Sequence, residues 1–142
     1  MSNSLAKNFE EIFGGLTTYA ATVEANRCLY CYDPPCVKAC PTSINIPSFI
    51  KKIASNNMKG SARVIMEANP VGASCARVCP TIELCEGACV LNSEEKPIQI
   101  GHLQRYATDW LRESDVNLFT PKPANGKKIA IIGSGPAGLS AA

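Results

Sequence analysis

The chain has 142 residues, of which 46% are hydrophobic, and a formal net charge of +2. This length allows roughly one domain with some residues left over. The basic residues are scattered and no basic stripe alternates with aromatic side chains, so we expect no nucleic-acid partner. No stretch approaches the roughly 18 consecutive apolar residues of a membrane span, so we also expect no membrane insertion.

The cysteine content is high for a chain of this length, because eight cysteines are present. The N-terminal sequence lacks the apolar core of a secretory signal peptide and carries the acidic residues Glu10 and Glu11. We therefore expect a cytoplasmic protein, in which thiols stay reduced and disulfides are rare. In that compartment, clustered cysteines are more often metal ligands than disulfide partners.

The N-terminal region predicts helix over residues 8–26. Apolar side chains from Phe9 to Leu16 recur at helical spacing, although Gly14-Gly15 interrupts the run. Residues Ala20 to Arg27 predict a second helix, which delivers the chain to the first cysteine. We expect this region to pack over the cysteine-rich domain.

The first block of cysteines is predicted to form a loop, because Asp33-Pro34-Pro35 cannot lie inside a helix. Its spacing is typical of iron–sulfur ligation. In the bacterial ferredoxin run, thiolates on a tight loop surround one cluster and a proline-adjacent fourth cysteine reaches a neighbouring cluster. The cysteines of this block, separated by two, four and three residues, are Cys28, Cys31, Cys36 and Cys40, and Pro41 follows the last of them.

Two helices are predicted between the cysteine blocks. The first covers residues 47–54 and begins at a proline, which is favoured in the first turn of a helix. Asn56-Asn57 and Gly60 are predicted to end it. The second covers residues 61–68, and Asn69-Pro70 is predicted to stop it. The side chains expected to face inward are those of Phe49, Ile50, Ile53, Ala62, Ile65 and Met66.

The second block of cysteines repeats one feature of the first, a cysteine followed directly by proline. A longer amphipathic helix is predicted after it, over residues 97–113, and its apolar stripe is expected to belong to the core. The cysteines of this block are Cys75, Cys79, Cys85 and Cys89, with Pro80 after the second. The apolar stripe consists of Leu103, Tyr106, Ala107, Trp110 and Leu111.

The pattern changes after a linker predicted at residues 114–127. Residues 128–132 predict a buried strand, a glycine-rich turn follows it, and residues 139–142 predict the start of a helix. Strand, glycine turn and helix in this order form the dinucleotide fingerprint, in which the turn approaches a pyrophosphate. The turn residues predicted to bind the cofactor are Gly133, Gly135, Pro136, Ala137 and Gly138.

The expected second strand of that domain, and the acidic residue about 20 positions further on, are not reached before Ala142. We therefore expect a truncated start of a Rossmann-type FAD/NAD domain, which cannot make a nucleotide site by itself. The last dozen residues are expected to be disordered or docked in a non-native way.

Zinc is the alternative to an iron–sulfur site. The pair Cys28-x2-Cys31 would suit a zinc knuckle, and the chain would then be a zinc-stabilised interaction domain. Two observations favour iron and sulfur instead. Cysteine–proline occurs in both blocks, as in ferredoxins, and the flavin or nicotinamide fingerprint indicates an electron donor that redox-inert zinc could not use. The spacing alone leaves the grouping of the eight thiols open.

These motifs together resemble a known family over about residues 24–142. Besides the cysteine runs, the resemblance rests on residues 69–72 before Cys75, on Ile98-x-Ile100-Gly101-x-Leu103-Gln104, and on the closing Gly-x-Gly-Pro-Ala-Gly. The chain resembles the N-terminal iron–sulfur domain of the dihydropyrimidine dehydrogenase family, including its NAD-dependent small-subunit type. The glutamate synthase small subunit is similar.

The resemblance implies a mainly α fold, a small α-helical ferredoxin-like bundle over residues 1–113 that wraps two [4Fe–4S] clusters. One implied cluster takes Cys28, Cys31, Cys36 and Cys89. The other takes Cys40, Cys79, Cys85 and the glutamine Gln104. Cys75 stays open as an alternative eighth ligand, because an amide oxygen is a poorer ligand than thiolate for iron–sulfur clusters.

The resemblance also implies an electron-transfer function. In the longer parent enzyme, NAD(P)H would reduce FAD in the domain that begins at Lys128. Electrons would then pass to a partner FMN-containing subunit or domain that reduces a pyrimidine, or, in the glutamate synthase alternative, 2-iminoglutarate. No general acid, base or nucleophile is identified within the 142 residues, so this part of an oxidoreductase is not expected to be catalytic alone.

Overall fold

A computed structural model describes residues 11–94 and 96–142, and in these ranges the chain is helical and contains no strand. The predicted mainly α class is confirmed. None of the helices in the described ranges is both long and apolar enough to span a bilayer. The α-helices are α1 (Thr18–Asn26), α2 (Pro35–Lys38), α3 (Ile46–Ala54), α4 (Met58–Ala68), α5 (Gly72–Val78), α6 (Ile100–Glu113) and α7 (Pro136–Ala141), and a 3-10 helix covers Val90–Ser93.

Helices α3 and α4 form a pair with matching apolar faces. Each begins at an asparagine cap: the side chain of Asn45 accepts a hydrogen bond from the amide of Ser48 (3.1 Å), and Asn57 accepts one from Gly60 (2.9 Å). These caps satisfy amides that have no partner inside the helix. Both helices bury positions one, four, five and eight, the spacing of a single helical face. The buried residues are Ile46, Phe49, Ile50 and Ile53 in α3, and Met58, Ser61, Ala62 and Ile65 in α4.

Helix α6 completes the core. It packs against α5 and α4, while α3 packs against α4 and α1. Leu103 and Ala107, one turn apart on α6, are fully buried among the apolar residues of α3 and α4. The other half of the predicted stripe, including Tyr106 and Trp110, is only half-buried at the edge of this core. Cys85 belongs to this core, and Cys28, Cys36, Cys40 and Cys89 pack against it, so both cysteine blocks adjoin the bundle.

The prediction of helix at the N-terminal end is wrong for residues 11–17, and residues 8–10 lie outside the described ranges. Ile12 and Phe13 are 92% and 72% exposed. Helix α1 begins only at Thr18, where the hydroxyl of Thr17 accepts from the amide of Ala20 (3.2 Å). Glycines before this cap lose more backbone entropy in a helix than other residues, so the helix does not extend backwards. The helix predicted from Ala20 to Arg27 is confirmed as part of α1.

Two further predictions, one for the first cysteine block and one for the segment after it, differ from the structure. The first block is not entirely loop, because α2 lies inside it. Pro35 occupies the first position of this helix, where the missing N–H needs no partner. Gly60 does not end a helix but lies in the first turn of α4, which starts three residues earlier than predicted because Asn57 caps it.

The first residues of the last two predicted helices also differ from the prediction. The helix predicted from Pro97 starts at Ile100, after an extended segment. The helix predicted at 139–142 starts at Pro136. Helix α5 lies in the second cysteine block, where no helix was predicted.

Residues 128–132 do not form the predicted buried strand, and Ile129 and Ile132 are 84% and 100% exposed. A strand requires a neighbouring strand to accept its hydrogen bonds, and no strand occurs in the described ranges. The glycine turn after it is nevertheless formed. Gly133 has φ of +109°, and a Cβ on Gly138 would lie 2.1 Å from the carbonyl oxygen of Gly133, so the turn requires both glycines.

The buried carboxylate of Glu24 connects helix α1 to the segment that precedes α6. Oε1 of Glu24 accepts hydrogen bonds from Nη1 of Arg27 (2.8 Å) and from the backbone amide of Gln99 (2.9 Å), just before α6 begins. Arg27 in turn donates from Nη2 to the carbonyl oxygen of Lys96 (2.5 Å). The Glu24 carboxylate therefore joins α1 to the start of α6.

We expect Glu24→Ala to lower the free energy of unfolding by about 2 kcal/mol, because the partly buried Gln99 amide and the Arg27 guanidinium both lose a charged acceptor. Chemical denaturation followed by circular dichroism measures this. Glu67→Ala is the matched control, since Glu67 also pairs with an arginine on its own helix but the two side chains are 51% and 55% exposed. That change should cost no more than about 0.5 kcal/mol. Equal effects of the two substitutions would contradict the role given to Glu24.

Candidate metal centre

Four cysteines from both blocks line one cavity. The rest of the lining is apolar and includes Ile50 and Ile100 from the bundle core. The four thiols are free, with no disulfide between them. We call this the first cavity, and its thiols are those of Cys28, Cys31, Cys36 and Cys89.

The backbone around Cys28 is shaped to place its sulfur. Helix α1 ends two residues earlier, and Tyr30 then adopts the left-handed conformation with φ of +51°, which is uncommon for a bulky residue. The Tyr30 amide donates a hydrogen bond to the Cys28 sulfur. Its phenol donates to the carbonyl oxygen of Ala25 (3.0 Å), and Lys51 lies over its ring at 4.5 Å. These contacts hold the strained turn between the first two cysteines.

Burial and mutual repulsion both act on the thiols of the first cavity. Burial, followed by the neighbouring sulfurs of Cys28, Cys89 and Cys31, raises the pKa of the Cys36 thiol to about 11. Burial likewise raises the pKa of Cys28. Thiolates here require a compensating positive charge, because several negative sulfurs would otherwise share a largely apolar cavity.

A second cavity is lined by the other four cysteines and two amide side chains. Cys40 is the last cysteine of the first block, yet it faces this cavity rather than the first. Helix α5 contributes Cys75, and Cys79 follows the end of α5. The polar and sulfur-containing residues that line this second cavity are Cys40, Cys75, Cys79, Cys85, Asn69, Gln104, Thr42 and Thr81.

The charges around the second cavity are also coupled. Burial, followed by the Glu86 carboxylate and the sulfurs of Cys40 and Cys79, raises the pKa of the Cys85 thiol to about 12. Burial, with the sulfurs of Cys75 and Cys40 next, raises the pKa of Cys79. Every sulfur that shifts these two thiols belongs to the same cavity. The sulfur atoms therefore form two electrostatic groups.

Two amide side chains of the second cavity have fixed orientations. The Nε2 atom of buried Gln104 donates to the carbonyl oxygen of Gly72 (2.8 Å). Because the carbonyl can only accept, this bond identifies which amide atom faces it and leaves the oxygen as the group available elsewhere. Asn69 donates from Nδ2 to the sulfur of Cys75 (3.1 Å) and accepts from the amide of Val71 (3.1 Å). Cys75 and Gln104 thus both face the second cavity, each held by a different partner.

The structure brings together every residue predicted as a metal ligand, in two groups that interlace the two cysteine blocks. Asn69 and Ile46 are among the lining residues that were not predicted. Asn69 is predicted as a helix stop and belongs to the segment 69–72 that contributes to the resemblance, but neither pattern assigns it to a site. Ile46 lines both cavities, and it precedes the helix predicted from Pro47, so no sequence pattern indicates it. The predicted turn residues 133–138 line neither cavity.

The donor set fits an iron–sulfur cluster in each cavity. In the described ranges, no three histidine, cysteine or acidic side chains are close enough to ligate a single metal ion. The sulfurs stand instead around the perimeter of each cavity. A [4Fe–4S] cluster needs such a spread of protein ligands, typically four cysteines. Thiolate is also among the soft ligands that bind these clusters.

Comparison with known proteins is consistent with this geometry. Residues 5–116 match the family described as dihydropyrimidine dehydrogenase domain II, 4Fe-4S cluster. Over 132 residues, the chain is 45% identical to the NAD-dependent dihydropyrimidine dehydrogenase subunit PreT of Salmonella typhimurium and 44% identical to the subunit of that name from Escherichia coli K12. Each alignment covers 93% of this chain and 32% of the relative. The chain therefore spans about a third of the length of these curated relatives.

A glycine lies in the short segment that joins a cysteine of the second cavity to a cysteine of the first. Gly87 lies between Cys85, which lines the second cavity, and Cys89, which lines the first. A Cβ at this position would lie 2.0 Å from the carbonyl oxygen of Ile82. That distance is far below van der Waals contact, so any larger residue must displace the loop between the two cysteines.

We expect Gly87→Ala to lower bound iron and sulfide per chain by at least about half, since the loop positions one sulfur of each four-ligand set. Iron and sulfide assays on anaerobically purified protein measure this. Gly14→Ala is the control, because a Cβ there meets nothing within 4 Å. Full iron content in Gly87→Ala would show that the loop tolerates the displacement and would contradict the prediction.

Proposed function

This chain belongs to the family of the 4Fe-4S cluster domain, domain II, of dihydropyrimidine dehydrogenase, and we propose that it holds two [4Fe–4S] clusters as an electron-transfer module. The observation that carries the proposal is the division of eight thiols between two adjacent cavities. Family membership also sets aside a zinc-stabilised interaction domain, since zinc is redox-inert.

We assign one cluster to the first cavity and the other to the second. The four thiols of the first cavity suffice for a complete ligand set. The second cavity offers four thiols and one amide oxygen, and we assign Gln104 rather than Cys75 as the eighth ligand. The Gln104 amide supports this choice, because it is buried and its Nε2 donates to the Gly72 carbonyl oxygen, which leaves the amide oxygen available to iron. The proposed ligands are Cys28, Cys31, Cys36 and Cys89 in the first cavity, and Cys40, Cys79, Cys85 and Gln104 in the second.

The protein's own contribution to electron transfer is ligation, hydrogen bonding and exclusion of water. When bound, such clusters accept and release single electrons. The backbone amide of Tyr30 donates to the sulfur of Cys28, and the amides of Val37 and Glu86 lie close enough to the sulfurs of Cys36 and Cys85 to lower the pKa of those thiols against the larger effect of burial. Hydrogen bonds to ligand sulfur stabilise negative charge, and they therefore favour the reduced state.

The wider reaction is also a proposal, because the chain spans only 32% of the relatives' length. We propose that residues 1–113 form the cluster domain, 114–127 a linker, and 128–142 the beginning of an FAD-binding domain. In the longer parent, NAD(P)H would reduce FAD, and electrons would reach a partner FMN-containing subunit or domain. The positive φ of Gly133 and its close approach to Gly138 support the glycine turn as part of a dinucleotide site.

Pyrimidine reduction is the substrate chemistry that we propose for the parent enzyme. The relatives are named as NAD-dependent dihydropyrimidine dehydrogenase subunits. Gln104 supports this over the glutamate synthase alternative, in whose relatives an acid tends to stand at this position. A carboxylate here would face the Gly72 carbonyl oxygen without a proton to donate. We also propose a cytoplasmic location, because all eight cysteines are free.

The proposed clusters have a direct spectroscopic test. We expect anaerobically purified protein to be brown, with a broad absorption shoulder near about 400 nm that dithionite bleaches, as thiolate-bound iron–sulfur clusters absorb there. Iron and acid-labile sulfide should be present in equal amounts. Colourless protein with stoichiometric zinc would overturn the proposed function.

The eighth ligand is tested by a pair of substitutions. We expect Gln104→Ala to lose or alter the cluster of the second cavity, which removes up to about half of the iron, while Cys75→Ser keeps the full content. Electron paramagnetic resonance of the reduced protein reports which cluster changes. Loss of iron in Cys75→Ser, together with full retention in Gln104→Ala, would reverse our assignment.

Two further variants serve as controls for this experiment. Cys79→Ser removes a proposed ligand of the same cavity, so it should lower the iron content. Gln99→Ala removes an equivalent amide that lines neither cavity, so it should leave the iron content and the resonance spectrum unchanged.

A further inference from the structure

One buried side chain belongs to the walls of both cavities. Among the described residues, Ile46 alone appears in the lining of the first cavity and of the second. It is the first residue of α3 and only 2% exposed. The neighbouring residues along the chain divide between the cavities. Ile44 lines only the second, whereas Pro47 and Ile50 line only the first.

This arrangement makes the chain pass between the two cavities at Ile46. The Asn45 cap holds the start of α3 through its bond from the Ser48 amide (3.1 Å). Phe49 and Ile50, both fully buried, hold the helix in the core. The Ile46 side chain is therefore fixed at the boundary by its backbone, and an apolar group fills the position where water could otherwise join the two cavities.

We propose that Ile46 is the dry partition between the two cluster sites and sets the reduction potentials of both. This proposal rests on the proposed function, since it requires a cluster in each cavity. Reduction by one electron adds negative charge to a site, and water stabilises that charge better than an apolar wall does. Admission of water beside a cluster therefore raises its reduction potential. A polar group at Ile46 faces two clusters, whereas one at Ile44 or Ile50 faces a single cluster.

The test compares Ile46→Thr with Ile46→Val in the full chain, purified anaerobically with its clusters. Valine and threonine have nearly the same shape, so the difference between the two variants isolates the hydroxyl group. Each variant is reduced stepwise with dithionite, and each cluster is followed by electron paramagnetic resonance. We expect both midpoint potentials to be higher in Ile46→Thr than in Ile46→Val.

Three matched isoleucines give the controls. Ile44→Thr should raise only the midpoint of the second cavity, and Ile50→Thr only that of the first, each relative to its valine counterpart. Ile53→Thr should move neither midpoint, because Ile53 is 3% exposed on the same helix but lines neither cavity. A shift of one midpoint or of neither in Ile46→Thr, with both clusters present, would overturn the partition.

Failure of the proposed function is distinguishable from failure of the partition. Unmodified protein with fewer than two reducible clusters would overturn both. Should Ile46→Thr lose its iron, the comparison of Ile46→Val with Ile53→Val decides instead. The methyl group missing from Ile46→Val loosens the wall of both cavities, so both midpoints should move relative to Ile53→Val. Unchanged midpoints would then reject the proposal.

Discussion

The constraint on which this structure depends is that four cysteine sulfurs share each of two largely apolar cavities. The pKa values of Cys36 in the first and Cys85 in the second, raised to about 11 and about 12, indicate that thiolates are unfavourable there without a cation. The largely apolar walls exclude water. Because little water is then present to stabilise thiolates, the sites depend on bound positive charge. The cysteine loops therefore cannot be treated as folded apart from their metal, because ligand binding and local folding are coupled. Most of the core of the helical bundle consists instead of aliphatic and aromatic side chains from α1, α3, α4 and α6.

The cysteine residues are in contact with the helical bundle, since Cys85 belongs to its core and four others pack against it. Helices α3, α4 and α6 supply the frame, and several of the residues that line the cavities adjoin the ends of helices. Cys28 follows α1, Cys79 follows α5, and Ile46 opens α3 between the cavities. The frame thus determines the separation of the two sites, while the loops determine which sulfurs reach each one.

Much of the frame could be predicted from the sequence. Apolar periodicity located α3, the body of α4 and α6, since each has a wide buried face. Local patterns failed where a distant contact decides the structure. Residues 11–17 have helical spacing but are held outside a helix, with the Phe13 carbonyl bonded to Arg105 (2.6 Å). The helix expected from Pro97 starts late because a distant carboxylate, that of Glu24, takes the Gln99 amide. Residues 128–132 have strand composition, yet composition cannot supply the partner that a strand needs.

Less of the candidate site than of the helical frame could be predicted from the sequence. Spacing identified the eight thiols but left their grouping open, and only the resemblance to a family divided them. Cys36 and Cys40 are four residues apart, a separation that would place them on one face of a continuous helix. Helix α2 ends at Lys38, however, so the chain turns before Cys40 and the two sulfurs enter different cavities. The turn is a consequence of the end of α2 at Lys38. The sequence pattern predicts a loop throughout this block and therefore does not predict the turn. A one-turn helix therefore separates the cysteines of the two proposed cluster sites, and the division of the thiols is a property of the folded backbone rather than of cysteine spacing.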